Sequence, residues 1–118
     1  MIHHISFRHA WNGIRYAFLN QPNFRVHSFV ALFVLIAGVL LHLERIEWLI
    51  LLFTITLVLV AEMVNTSLES LTDLVTQETQ PQARIAKDVA AGMVLLTAIM
   101  AILVGLVILI PHILEIRN

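Results

Sequence analysis

Glu62, Asn65, Glu69 and Asp73 are separated by three, four and four residues. At about 100° per residue a helix places them at about 0°, −60°, −20° and +20°, so all four share one face. The run before them, Trp48 to Ala61, has no charged residue. A carboxylate inside such a run costs on the order of 2.5 kcal/mol or more to insert, and an intramembrane ionisable residue is by default a functional site. The plainer alternative is a set of structural polar groups satisfied by hydrogen bonds between helices. An aligned Glu-Asn-Glu-Asp stripe favours function. Lys87-Asp88 opens the next apolar run. Alone, that pair would be a snorkelling Lys and an Asp favoured by the helix dipole. Beside the stripe it adds a cation and a further acid.

Carboxylates and an Asn can hold Mg²⁺, which takes few protein oxygens plus substrate phosphates. A Lys neutralises phosphate charge. The deepest Glu can accept a proton from a hydroxyl in the lipid layer. This is an inventory for phosphoryl transfer from MgATP to a lipid alcohol, in which positioning and charge neutralisation do most of the work. No GxxxxGK[ST] and no kinase-type Gly-rich loop is present, so a soluble nucleotide fold is not expected. The six His form no metal pattern: His3-His4 are adjacent near the terminus and the others are scattered. No cysteine is present, which excludes disulfides and thiolate metal sites.

The elements that must position these residues are membrane helices. The chain has 118 residues, 59% hydrophobic and 13% charged, against about 25% charged for a soluble domain. Its formal net charge of −1 offers no basic field for nucleic acid. The N-terminal MIHHISFRHAW lacks an apolar core and a cleavage site, so no secretory signal peptide is expected. Phe7, Ala10, Trp11, Ile14 and Phe18 form a helical stripe within 6–19, with Arg8, His9, Asn12 and Arg15 mostly off it. That segment is too short and charged to span, and reads as a helix lying in the membrane interface. Asn20-Gln21-Pro22-Asn23 breaks it, with Pro suited to the first turn of the next helix.

Three spans follow, over 23–43, 48–73 and 86–110. Glu44-Arg45-Ile46-Glu47 reads as a tight charged break, Trp48 as an interfacial aromatic, and 76–83 as a polar loop. Pro111-His112 is expected to end the last span. Its Ala90, Ala91, Gly92, Ala98, Ala101 and Gly105 permit close helix packing. Counting about 1.5 Å per residue from Trp48, Glu62 lies about 21 Å and Glu69 about 31 Å along the second span. Arg8, Arg15, Arg25, Arg84 and Lys87 fall on one side and Arg45 and Arg117 on the other. That balance predicts a cytoplasmic N-terminus and 74–88 loop. The fold class expected is therefore all-α and integral to the membrane, as a single domain over 1–118.

The segment Ala61-Glu62-Met63-Val64-Asn65-Thr66-Ser67-Leu68-Glu69 with Asp73, followed by Ala86-Lys87-Asp88-Val89-Ala90-Ala91-Gly92, closely resembles the signature of the prokaryotic diacylglycerol kinase family, which includes undecaprenol kinases. Asn23-Phe24-Arg25-Val26-His27 also resembles that family's pattern before its first span. The resemblance covers roughly residues 7–110. It implies a homotrimer in the bacterial inner membrane, with active sites shared between subunits, transferring the γ-phosphate of MgATP to diacylglycerol or undecaprenol. By the same resemblance Glu62 matches the general base and Asn65 the polar residue beside it. Glu69 matches a metal-binding glutamate, while Asp73, Lys87, Asp88 and loop residue Glu78 match positions around the nucleotide. Arg15, Asn23 and Arg25, with Glu62, are expected about the lipid substrate. One position departs: where many members carry a second metal-binding glutamate, this chain has Gln21, an oxygen donor without charge. The competing expectation is a non-catalytic oligomeric membrane protein that binds or conducts cations through its carboxylates.

Overall fold

The structure, a computed structural model, describes residues 6–117; His3 and His4 lie outside the described residues. It contains four helices: α1 (Phe7–Asn20), α2 (Pro22–Leu40), α3 (Arg45–Val75) and α4 (Pro81–Arg117). Ser6 caps α1 by accepting a hydrogen bond from the His9 amide. The last three helices are each long and apolar enough to cross a membrane. At about 1.5 Å per residue α2 is about 28 Å long, matching a hydrocarbon core of about 30 Å, while α3 and α4 outrun it. The chain is an all-α membrane protein, as the composition predicts.

The helices begin and end for local reasons. Gln21 alone separates α1 from α2, and Pro22 occupies the first helical position, where its missing N–H is no loss. Gln21 makes no side-chain capping bond to α2. At the other end of α2 the His42 amide donates to Val39 O and the Leu43 amide to Gly38 O, both at 3.3 Å. With His42 at φ 55°, this is a Schellman ending that turns the chain by way of a left-handed residue. The span therefore stops at Leu40, three residues short of the expected 43. The charged break is shorter than the sequence suggests. Glu47 Oε1 accepts from the Glu44 amide at 3.0 Å, so Arg45-Ile46-Glu47 is already the first turn of α3.

Two expectations about α4 are corrected. The loop after α3 ends at Gln80 rather than Ala83, because Pro81 starts the helix instead of breaking it. Pro111 does not end α4 either; the helix runs through it to Arg117. A proline there removes one backbone donor, but His112, one residue on, is held against α3, with Nε2 2.9 and 3.0 Å from the two Glu47 carboxylate oxygens. The anchored following turn keeps the helix going.

α3 is the spine. It packs most extensively against α4 and less against α2, while α1 folds over the junction of α2 and α3. The α3–α4 pair is pinned at one end by His112–Glu47 and at the other by Lys87 Nζ and Asp73 Oδ1, 2.7 Å apart. A small core of Leu43, Leu51 and Ile108 forms near the first pin, with Trp48 half-buried against it. Trp48 lies over Gly38: a Cβ there would come within 2.8 Å of the indole. The expected interfacial tryptophan is thus also a packing residue. Of the small residues of α4, Ala90 is buried, whereas a Cβ at Gly92 or Gly105 would meet nothing within 4 Å.

Candidate functional site

The polar stripe of α3 is helical throughout, and its members face different neighbours. Glu62 is 2% exposed, the most buried charged residue described. Its Oε1 lies 3.2 Å from His27 Nε2 on α2. That is ion-pair distance without hydrogen-bond alignment, and Oε1 has no hydrogen-bond partner among the described residues. One turn on, Asn65 Nδ2 donates to Glu69 Oε1 at a long 3.4 Å. The Asn65 carbonyl oxygen is buried and also lacks a hydrogen-bond partner. A buried carboxamide oxygen left unpaired is costly unless a ligand completes it. Thr66 fixes this stretch by donating its hydroxyl to Glu62 O at 3.0 Å.

Beyond Glu69 the stripe opens into a polar groove of about 340 Å³ at the α3–α4 loop. Asp73, Glu78, Arg84, Lys87 and Asp88 line it. Glu78 is held by loop bonds: its amide donates to Thr76 Oγ1 at 3.1 Å, and its Oε2 accepts from Gln80 Nε2 at 3.2 Å. Arg84 Nε lies 3.9 Å from Asp88 Oδ2 in an exposed pair one turn apart. Lys87 and Asp73 bridge the two helices across the groove floor.

On the other side of Glu62 runs an apolar groove of about 560 Å³ between α2, α3 and α4. His27, Val58 and Leu59 line it at the Glu62 end, and Leu109, Ile110 and Ile113 at the far end. Along α3, then, an apolar groove gives way after Leu59 to Glu62, Asn65 and Glu69, and these to a polar groove from Thr72 onward.

The remaining expected positions are less converged. Gln21 is half-buried between α1 and α2. Arg15 and Asn23 are exposed, and no hydrogen bond or ion pair joins either to Glu62 among the described residues. Arg25 Nη1 donates to Phe18 O and Leu19 O at 3.0 and 2.8 Å, so its guanidinium closes the C-terminus of α1. Two side chains were not singled out by sequence reasoning. His27 was part of the Asn-Phe-Arg-Val-His match, but nothing in its spacing ties it to a residue 35 positions away. Arg84 counted only toward the charge balance.

No three His, Cys, Asp or Glu side chains converge among the described residues. A single carboxylate, Glu69, beside an unpaired carboxamide oxygen still fits Mg²⁺, which binds through one or two carboxylates with substrate phosphates completing its shell.

The pattern described as prokaryotic diacylglycerol kinase matches residues 8–109. A diacylglycerol kinase of Synechocystis sp. is 50% identical over 112 residues, 94% of this chain and 64% of that protein. The chain thus spans just under two thirds of that relative's length. An undecaprenol kinase of Bacillus subtilis is 40% identical over 106 residues, 90% of this chain and 86% of that protein. A diacylglycerol kinase of Escherichia coli is 26% identical over 104 residues, 88% of this chain and 85% of that protein. With a match across nearly its whole length and a close relative at half identity, the chain belongs to the prokaryotic diacylglycerol kinase family.

Proposed function

We propose that this protein is a lipid kinase that transfers the γ-phosphate of MgATP to the hydroxyl of a membrane lipid, diacylglycerol or undecaprenol. One observation carries the reading: the buried Glu62 sits between an apolar groove suited to a lipid chain and a polar groove suited to a nucleotide. The two substrates differ in just that way. Relatives named for both lipids match along most of this chain. Nothing observed favours a non-catalytic cation-binding role.

Glu62 accepts the proton of the lipid hydroxyl, whose oxygen attacks the γ-phosphorus while ADP departs. Thr66 holds that turn of α3 in place through its bond to Glu62 O, and Asn65, beside Glu62, steadies Glu69. Glu69, with the Asn65 carbonyl oxygen and Gln21 as neutral donors, would hold Mg²⁺, which when bound neutralises phosphate charge. Lys87, Asp73, Asp88 and Glu78 face the nucleotide, with Lys87 exchanging its Asp73 contact for phosphate oxygens. Arg15, Asn23 and Arg25 border the lipid headgroup from the α1–α2 side. The Lys/Arg balance supports a bacterial inner-membrane location with the N-terminus and the α3–α4 loop cytoplasmic. Membership of the family supports a homotrimer with active sites shared between subunits.

Glu62→Gln removes the proton acceptor at nearly constant shape. It should lower kcat by about 10²–10⁴-fold with the protein still folded. Lipid phosphorylation by purified protein, followed as labelled phosphate entering the organic phase, measures this. Undiminished turnover in Glu62→Gln would remove Glu62 from the chemistry.

A further inference from the structure

We propose that His27 is the proton relay for Glu62, a positioning residue that restores its carboxylate after each turnover. This rests on the lipid-kinase reading above. The need arises from burial. A Glu62 that has taken the hydroxyl proton must release it before the next cycle, and at 2% exposure it has no route of its own to water. His27 Nε2 is 3.2 Å from Glu62 Oε1, and the side-chain exposures are 26% for His27 and 3% for Glu62. The imidazole thus meets the buried carboxylate through Nε2 while part of its side chain stays accessible, five residues into α2 from its cytoplasmic end on the proposed orientation.

Among the described residues no other neighbour serves. The Thr66 hydroxyl is engaged with the backbone oxygen of Glu62, and Asn65 has no titratable group. Glu69 lies two turns on along the same helix and accepts from Asn65. On α2, Arg25 is turned to the carbonyls of α1, and on α4, Lys87 is held by Asp73. His27 also lines the apolar groove at its Glu62 end, so it borders the place where a lipid hydroxyl would arrive.

The steps balance. The lipid O–H bond breaks and its proton goes to Glu62; the O–Pγ bond forms; the bond from Pγ to the bridging oxygen breaks and its electron pair leaves with ADP. The Glu62 proton then passes to Nε2 of an imidazole protonated at Nδ1, the Nδ1 proton leaves to water, and exchange with water returns the ring to its Nδ1–H tautomer for the next cycle. An imidazole can do this because it has two ring nitrogens, one to take the proton and the other to pass it on.

The test compares wild-type protein with His27→Ala and His27→Gln in the same lipid-phosphorylation assay. Wild-type turnover reports on the kinase reading itself; the variants report on the relay. The expected result is a fall in kcat of about tenfold or more in both variants, with KM for ATP and lipid little changed. Imidazole added to the buffer should speed His27→Ala, whose vacated site admits it, and leave His27→Gln slow. Should Gln restore full kcat, His27 merely shapes the site and the relay is overturned. Wild-type kcat in His27→Ala, or no response of that variant to imidazole, would overturn it equally while leaving the kinase reading intact.

Discussion

At the scale of single residues, the site divides into the buried Glu62 and an exposed polar floor around Asp73 and Lys87, with Glu69 between them. The Asp73–Lys87 pair separates structural from functional worth. Both side chains are substantially exposed, 58% and 43%, and exposed ion pairs contribute at most about 1 kcal/mol. Lys87→Met should therefore shift the thermal midpoint little but raise KM for ATP roughly tenfold or more, since a hydrogen bond to a charged group is worth about 1.5–3 kcal/mol. A large loss of stability with KM unchanged would make the pair a latch between α3 and α4 instead. At this scale the sequence was most legible where helical spacing applies: Glu62, Asn65, Glu69 and Asp73 share a helix, and arithmetic alone aligns them. It was least legible across helices. The approach of His27 to Glu62 and the Arg25 bonds to α1 depend on packing, which spacing along one element cannot encode.

At the scale of elements, the α2–α3 turn shows how local chemistry sets the bundle. His42 adopts φ 55° without being glycine, and a left-handed residue with a side chain costs roughly 1–2 kcal/mol. His42→Gly should raise stability by about 1 kcal/mol, read as a higher midpoint of thermal unfolding in detergent. An unchanged or lower midpoint would mean that the His42 side chain compensates. Gly38, four residues earlier, is fixed by contact instead. A Cβ would sit 2.8 Å from the Trp48 ring and 3.0 Å from Leu43. Gly38→Val should cost about 1–3 kcal/mol through overpacking, whereas Gly105→Ala, in open space, should cost little within one chain. These features explain why helix ends were harder to read than helix existence. Apolar runs announce the spans, but Pro81 and Pro111 look alike in sequence. The first is a helix start and the second is carried through because His112 is tied to Glu47.

At the scale of the whole molecule, three helices of unequal length leave a wide apolar surface and two grooves, the apolar one ending at Leu59 and the polar one starting at Thr72, with the buried Glu62 between them along α3. A membrane satisfies the surface. On the proposed reading, the apolar groove takes the lipid chain and the polar groove the nucleotide. The family could be read from the sequence because its motif lies on a single helix and the start of the next, while the grooves became visible only once α2, α3 and α4 were packed together. The most direct test gives purified protein in lipid vesicles γ-phosphate-labelled MgATP with either diacylglycerol or undecaprenol, and measures label in the lipid. The account predicts labelled phosphatidic acid or undecaprenyl phosphate, formed by the wild type and nearly absent in Glu62→Gln. Label in neither lipid, from folded wild-type protein, would contradict it.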